Sequence, residues 1–188
     1  VKYMVSMQKI KSDEVSKAAK KETVSNIGKD VFFDCISVVS IFETIRREKP
    51  NAKIACVSGS LVILSDDVVH ELSLKDNFSN KFKYTKINDT DFNIVTFKGD
   101  NREKVDIITK LFEKGSINIL IGTQSLLGEG WDSPCINSII LASYVGSFVL
   151  SNQMRGRAIR IDKHDLNKVS NIWHLVTIEP SYMFQDNL

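Results

Sequence analysis

"INILIGTQSLLGEGWD", residues 117–132, decides how this chain is read. An apolar, β-branched run ends at Gly122. Polar residues and two further glycines follow, and then Trp131 and Asp132. A short continuous apolar run bounded by turn residues is the pattern of a strand buried on both faces. In an open parallel sheet, ligands gather beyond the carboxyl ends of the strands. Thr123, Gln124, Glu129 and Asp132 therefore stand where a site would be, and the glycines let backbone approach a ligand closely. The same residues also suit an ordinary strand-to-loop turn, with Thr123 and Asp132 capping local backbone. The turn alone does not separate the two.

The flanking sequence repeats the pattern. "KIACV" and "LVIL" are short β-branched runs split by "SGS", and "FNIVTF", "INSIILA" and "IWHLVTI" are further strand candidates. Between them lie helical stretches, "DDVVHELSL", "NREKVDIITKLFEKG" and "SFVLSNQMRGRAIRI". Apolar strands alternating with helices predict a layered α/β fold with a mainly parallel sheet flanked by helices. Upstream, residues 12–28 read as a helix with Ser12 as N-cap and Gly28 as its stop. In "VFFDCISVVSIFETIRREKP", Phe32, Ile36, Val39 and Phe42 recur at helical spacing. The first ten residues read as either a strand or a linker. Segment 75–91, rich in Lys, Asn, Asp and Thr, reads as a surface excursion.

Composition narrows the class. At 188 residues the chain fits one domain with an appendage, and 43% apolar residues permit a sizeable core. No long uncharged apolar stretch suggests a membrane span, no signal peptide is visible, and a cytoplasmic location is expected. The chain opens on Val1, so a longer parent protein is expected. Cys35, Cys56 and Cys135 are too far apart for a metal site and read as buried free thiols. His70, His164 and His174 form no metal or triad pattern, and His174, inside a strand run, reads as a core histidine. A net charge of +2 neither argues for nucleic acid nor against it.

"QMRGRAIR", residues 153–160, adds chemistry. On a helix, Gln153, Arg157 and Arg160 share one face, while Leu150, Met154, Ala158 and Ile161 lie about a quarter turn away and can pack on a sheet. Arg155 points elsewhere, and Gly156 leaves space beside the arginines. Guanidinium is always charged and offers forked donors matched to phosphate oxygens, so two of them held in place suit a polyphosphate. A glutamine can orient a water. Most charge clusters are solvated faces, and the octet alone is only suggestive.

The two motifs together are specific. The chain resembles the second RecA-like domain of superfamily 2 helicases and translocases, in the DEAD/DEAH-like, type III restriction-related group. "GTQSLLGEGWD" is similar to motif V of that family, and "QMRGRAIR" to motif VI, Q-x-x-G-R-x-x-R. "LVILSDDVVHEL" is similar to the motif IV strand and helix. The resemblance covers about residues 30–180. It implies a linker or helical extension over 1–29 and a three-layer RecA-like helicase C-terminal domain over 30–188.

It also implies roles. ATP and magnesium would be held mainly by a first, N-terminal RecA-like domain that supplies the phosphate loop. Arg160 and Arg157 match the arginines that reach the γ-phosphate, with Arg160 the better match to the finger and Gln153 near the γ-phosphate or the attacking water. Gly130 and Asp132 match nucleotide-facing positions of motif V. Thr123, Gln124 and Ser65 match positions that touch the nucleic-acid backbone, with DNA expected over RNA. No role is carried to Lys104, where many relatives have arginine. No metal site is expected in this chain. It contains no G-x-x-x-x-G-K-[ST], so by itself it is expected to lack ATPase activity. The rivals are a translocase that moves on duplex DNA without unwinding it, a non-catalytic RecA-like module that binds nucleic acid or a partner, and an unrelated phosphate-binding α/β domain.

Overall fold

The computed structural model describes residues 2–7, 24–33, 36–59, 61–74, 81–123, 131–142, 148–163 and 165–175. Eight strands form one sheet in the order β4-β5-β3-β2-β6-β1-β7-β8. They are β1 (Tyr3–Met7), β2 (Ile54–Val57), β3 (Val62–Ser65), β4 (Phe82–Lys86), β5 (Phe92–Phe97), β6 (Ile119–Thr123), β7 (Ser138–Leu141) and β8 (Asn171–His174). The block β2-β6-β1-β7-β8 is parallel throughout, and β3, β5 and β4 extend it as an antiparallel wing. Among the described residues four helices cover the sheet: α1 (Val38–Glu48), α2 (Asp66–Ser73), α3 (Asn101–Lys114) and α4 (Phe148–Ala158).

The parallel strands are apolar on both sides because both sides are covered. Met4, Ala55, Val57, Leu120 and Ile139 share one core with side chains of α2, α3 and α4. Val5, Ile54, Cys56, Ile63 and Ile121 point the other way and pack with Val39 and Phe42 of α1. Strand alternation thus feeds two cores, one on each face of the sheet, and the result is the expected three-layer α/β fold.

Local signals set the helix ends. Asp100 caps α3 by accepting from the Glu103 amide, and Gly115, at φ +89°, ends it in the left-handed region. Gly28, at φ +83°, likewise stands at the stop read from the sequence, with residues 24–25 helical before it. Ser37 and Ser40 cap α1 reciprocally. This cap starts α1 at Val38, so Phe32 and Ile36 precede the helix and are exposed, against the periodic reading that put them on one face with Phe42. Of the three cysteines, Cys56 is buried, Cys135 half-buried, and Cys35 lies outside the described residues.

Three placements go beyond the sequence reading. The first residues, read as a strand or a linker, are a strand, and β1 lies inside the sheet between β6 and β7, so the sheet includes part of segment 1–29. Within the expected surface excursion, Phe82–Lys86 is the edge strand β4, with Phe82 its one buried residue. β3 runs antiparallel to β2, which reverses the end of the sheet at which it finishes. No described helix is long and apolar enough to cross a membrane.

Candidate functional site

The segment 131–133 and the end of α4 meet over a cleft of about 410 Å³ lined by Trp131, Asp132, Gln153, Gly156, Arg157 and Arg160. Residues from both sequence motifs therefore form one site, although Asp132 and Gln153 lie 21 positions apart along the chain (153 less 132). Met154 and Ala158 are fully buried and seat α4 on β7 and β8, which leaves the Gln153–Arg157–Arg160 face toward the cleft. Ile161 is exposed, because α4 ends at Ala158 and the apolar stripe ends with it.

The two arginines differ in environment. Arg160 is half-exposed and forms an ion pair with Asp132 across the cleft. Arg157 is only 7% exposed. Its guanidinium lies 6.0 Å from the centre of the Trp131 ring, and its Nη1 donates to the Met154 sulfur at 3.5 Å. Burial, and then the charge of Arg160, push the Arg157 guanidinium below its usual range, while Asp132 pulls the other way. It stays charged, since guanidinium does not lose its proton in proteins. Arg157 is thus a desolvated cation held against an aromatic face, a setting in which its field is strong.

Trp131 is the anchor of this arrangement. It is buried, and its indole Nε1–H donates to Thr109 Oγ1 on α3 at 2.5 Å. Thr109 Oγ1 donates in turn to the Val105 carbonyl at 2.7 Å. Ser133, fully buried, meets Cys135 Sγ at 3.2 Å. Lys168 reaches the carbonyls of Pro134 and Ile136 at 2.7 and 2.9 Å, and burial lowers its pKa. Ser170 closes the end of α4 by donating to the Ala158 carbonyl at 2.5 Å. One short stretch, 168–170, therefore ties down both walls of the cleft. None of these supports was readable from the sequence, because each is a pairing between distant polar residues with no spacing signature.

At the other candidate site the structure divides the expected residues. Thr123 ends β6 at the carboxyl rim of the parallel strands, beside Met7 of β1. Ser65 does not join it. β3 is antiparallel, so Ser65 faces Phe92 and lies level with the start of β2, about 13 Å along the strand direction from Thr123 at four residues' rise. There it precedes α2 as its N-cap residue. The resemblance of "LVILSDDVVHEL" to a motif IV strand thus does not bring Ser65 to the rim. The strands flanking β6 are β1 and β2. Gln124, Glu129 and Gly130 lie outside the described residues.

Lys104, given no role from sequence, is buried on the first turn of α3. Its Nζ donates to the carbonyls of Ser58 and Gly59 at 3.3 and 2.9 Å and to Asn101 Oδ1 at 2.8 Å. Burial lowers its pKa. It fastens the loop after β2 to α3. His174 is exposed rather than core, because β8 is an edge strand, and its Nε2 meets Arg155 Nη2 at 3.1 Å. Arg155 accordingly points away from the cleft. Among the described residues no His, Cys, Asp or Glu cluster suited to a metal ion gathers.

A three-layer α/β domain with an arginine-bearing helix beside its parallel sheet is RecA-like in architecture. The family described as "Helicase conserved C-terminal domain" matches residues 68–162, from within α2 to just beyond Arg160. The chain belongs to that family: it is a C-terminal module of the helicase kind. No curated protein matches it.

Proposed function

We propose that this chain is the second motor domain of an ATP-driven nucleic-acid helicase or translocase, and that its cleft receives the terminal phosphates of ATP. The observation that carries the reading is the convergence of Asp132, Gln153, Arg157 and Arg160 on one cleft. The donor set fits a polyphosphate. Two guanidiniums and an amide line the cleft, Gly156 adds no side chain, and the one described carboxylate there, Asp132, already faces Arg160. A magnesium ion would be held by the N-terminal RecA-like domain that supplies the phosphate loop. ATP supplies the phosphoryl group whose transfer to water drives the cycle.

This chain's residues position and stabilise. Arg157, preset against Trp131, and Arg160, released from Asp132 as phosphate oxygens replace the carboxylate, would neutralise charge that builds on the transferring group. Gln153 would orient the attacking water. Closure on the partner domain would complete the site and reopening would release product, so each cycle would move the pair along a strand touched at Thr123. The resemblance favours DNA over RNA as that strand.

The test is nucleic-acid-stimulated ATP hydrolysis by the complete protein. Arg160→Ala and Arg157→Ala should each lower the rate by roughly 10³–10⁵-fold, the range for an arginine on a transferring phosphoryl group. A variant that keeps the wild-type rate would sink the reading for that residue. The 188-residue chain alone should turn over negligible ATP, and rapid stimulated turnover by it would overturn the two-domain assignment.

A further inference from the structure

The antiparallel wing carries its charges unevenly. When the registers are extended by one residue, Thr123, Ser58, Leu61, Thr96 and Lys83 stand level across the sheet, from β6 to the edge strand β4. Residues directly opposite share a face, so the Thr123 and Lys83 side chains lie on the same side of the sheet. Two levels beyond, past the Phe82–Phe97 pair, Lys98 and Lys81 are joined by their backbones, the Lys98 amide donating to the Lys81 carbonyl at 2.6 Å. Four strand spacings separate Thr123 from Lys83, about 19 Å.

At this rim the wing and the first turn of α3 present Lys81, Lys83, Lys98 and Arg102 against Asp100 and Glu103, four cations to two anions. Both anions are engaged within the rim, Asp100 by the Glu103 amide and Glu103 by Lys81. The opposite rim of the wing, with Arg46 of α1 beside it, presents Lys86 and Arg46 against Asp66, Asp67, Asp89 and Asp91, two cations to four anions. Among the described residues Lys83, Lys98 and Arg102 form no ion pair, and both lysines are exposed. The near-neutral total charge hides this segregation. Lys104 pins the loop at Ser58–Gly59 to α3, so the rim between Thr123 and the wing is held in place.

We infer that the wing β3-β5-β4 is a second stretch of nucleic-acid backbone contact, continuous with the one proposed at Thr123, with Lys83 and Lys98 neutralising phosphates. The inference rests on that reading of Thr123 and extends it. Lysines on a flat strand edge offer point charges without base readout, so the contact would be independent of sequence.

The test uses the 188-residue chain and fluorescence anisotropy with a long and a short labelled oligothymidylate over a range of salt. For Lys83→Ala/Lys98→Ala, binding of the long strand should weaken, and the slope of log K against log salt should shrink by about 1.4, that is about 0.7 for each lost single-strand phosphate contact. Lys86→Ala, at the acidic rim, should leave both unchanged. Thr123→Val should weaken both strands. If Thr123→Val weakens binding while the double variant keeps the wild-type slope, the wing inference fails and the Thr123 reading stands. If the double variant weakens binding while Thr123→Val does not, the continuity fails. If the wild-type chain binds neither strand in a salt-dependent way, both fail.

Discussion

Thr109→Val tests the anchor beneath Arg157. Valine keeps the shape of threonine and removes its oxygen. The indole N–H of Trp131, now 2.5 Å from Thr109 Oγ1, would then have lost its acceptor inside the core, since Trp131 is 6% exposed. An orphaned buried donor costs about 1–3 kcal/mol. For a chain of this size each kcal/mol lowers Tm by roughly 2–4 °C, so a fall of about 2–12 °C is expected. The Val105 carbonyl loses only an extra side-chain donor. Trp131→Phe removes the donor instead, leaving Thr109 still bonded to Val105. Combined with Thr109→Val it should cost less than the sum of the two, with a coupling of about 0.5–3 kcal/mol, because the orphan no longer exists. Urea unfolding followed by far-ultraviolet circular dichroism measures all four proteins. Additive single changes, or a Thr109→Val loss under about 0.5 kcal/mol, would refute the argument that this bond anchors the cleft.

Further expectations follow from other sites. Glu43 is fully buried in α1. Burial pushes its carboxyl up, but hydrogen bonds from Arg46, Arg47 and the Gly28 amide outweigh this and hold it below its ordinary value near 4.5. Its contribution is therefore complete above that value and is lost as pH falls through the lower folded-state pKa. Glu43→Gln should make stability flatter with pH on the acid side, as denaturation midpoints across the acid range would report. Gly156→Ala places a methyl where no atom lies within 4 Å and should raise stability by about 0.5–1 kcal/mol through helix propensity. A lower Tm would show that the methyl clashes. The Cys56 thiol, pushed up to about 12 by burial, should resist alkylation in the folded chain and react only on unfolding, whereas half-buried Cys135 should react first of the two. Peptide mass mapping after a short iodoacetamide pulse would read both.

Legibility in the sequence followed the strength of local signals. β2, β5, β6 and β7 were visible as β-branched runs, and α3 as a periodic stretch between Asp100 and Gly115, because burial on both faces and helix caps leave compositional marks. β4 was not visible, since an edge strand with one buried residue reads as polar surface. Phe32 and Ile36 kept helical spacing without a helix, because Ser37 starts α1 after them. The cleft residues were legible because Gln153, Arg157 and Arg160 recur every three to four residues and the turn carrying Asp132 follows a buried strand. Ser65 was misplaced for a reason of polarity. Two short runs split by "SGS" also describe a hairpin, and a hairpin turns the second strand toward the other rim. The buried bond from Trp131 to Thr109 spans 22 residues, and nothing in either segment's own pattern marks it.

The position of β1 bears on how the chain can assemble. Tyr3 pairs with Ile119 and Ser138, so a strand made early waits 116 residues (119 less 3) for its first neighbour and longer for its second. The parallel block cannot close until β6 has been synthesised, and β1 meanwhile offers two open edges of apolar backbone. Long-range parallel pairing of this kind is slow and exposes the nascent chain to aggregation. A fragment trimmed past residue 7 would leave β6 and β7 without the strand that joins them in the middle of the sheet.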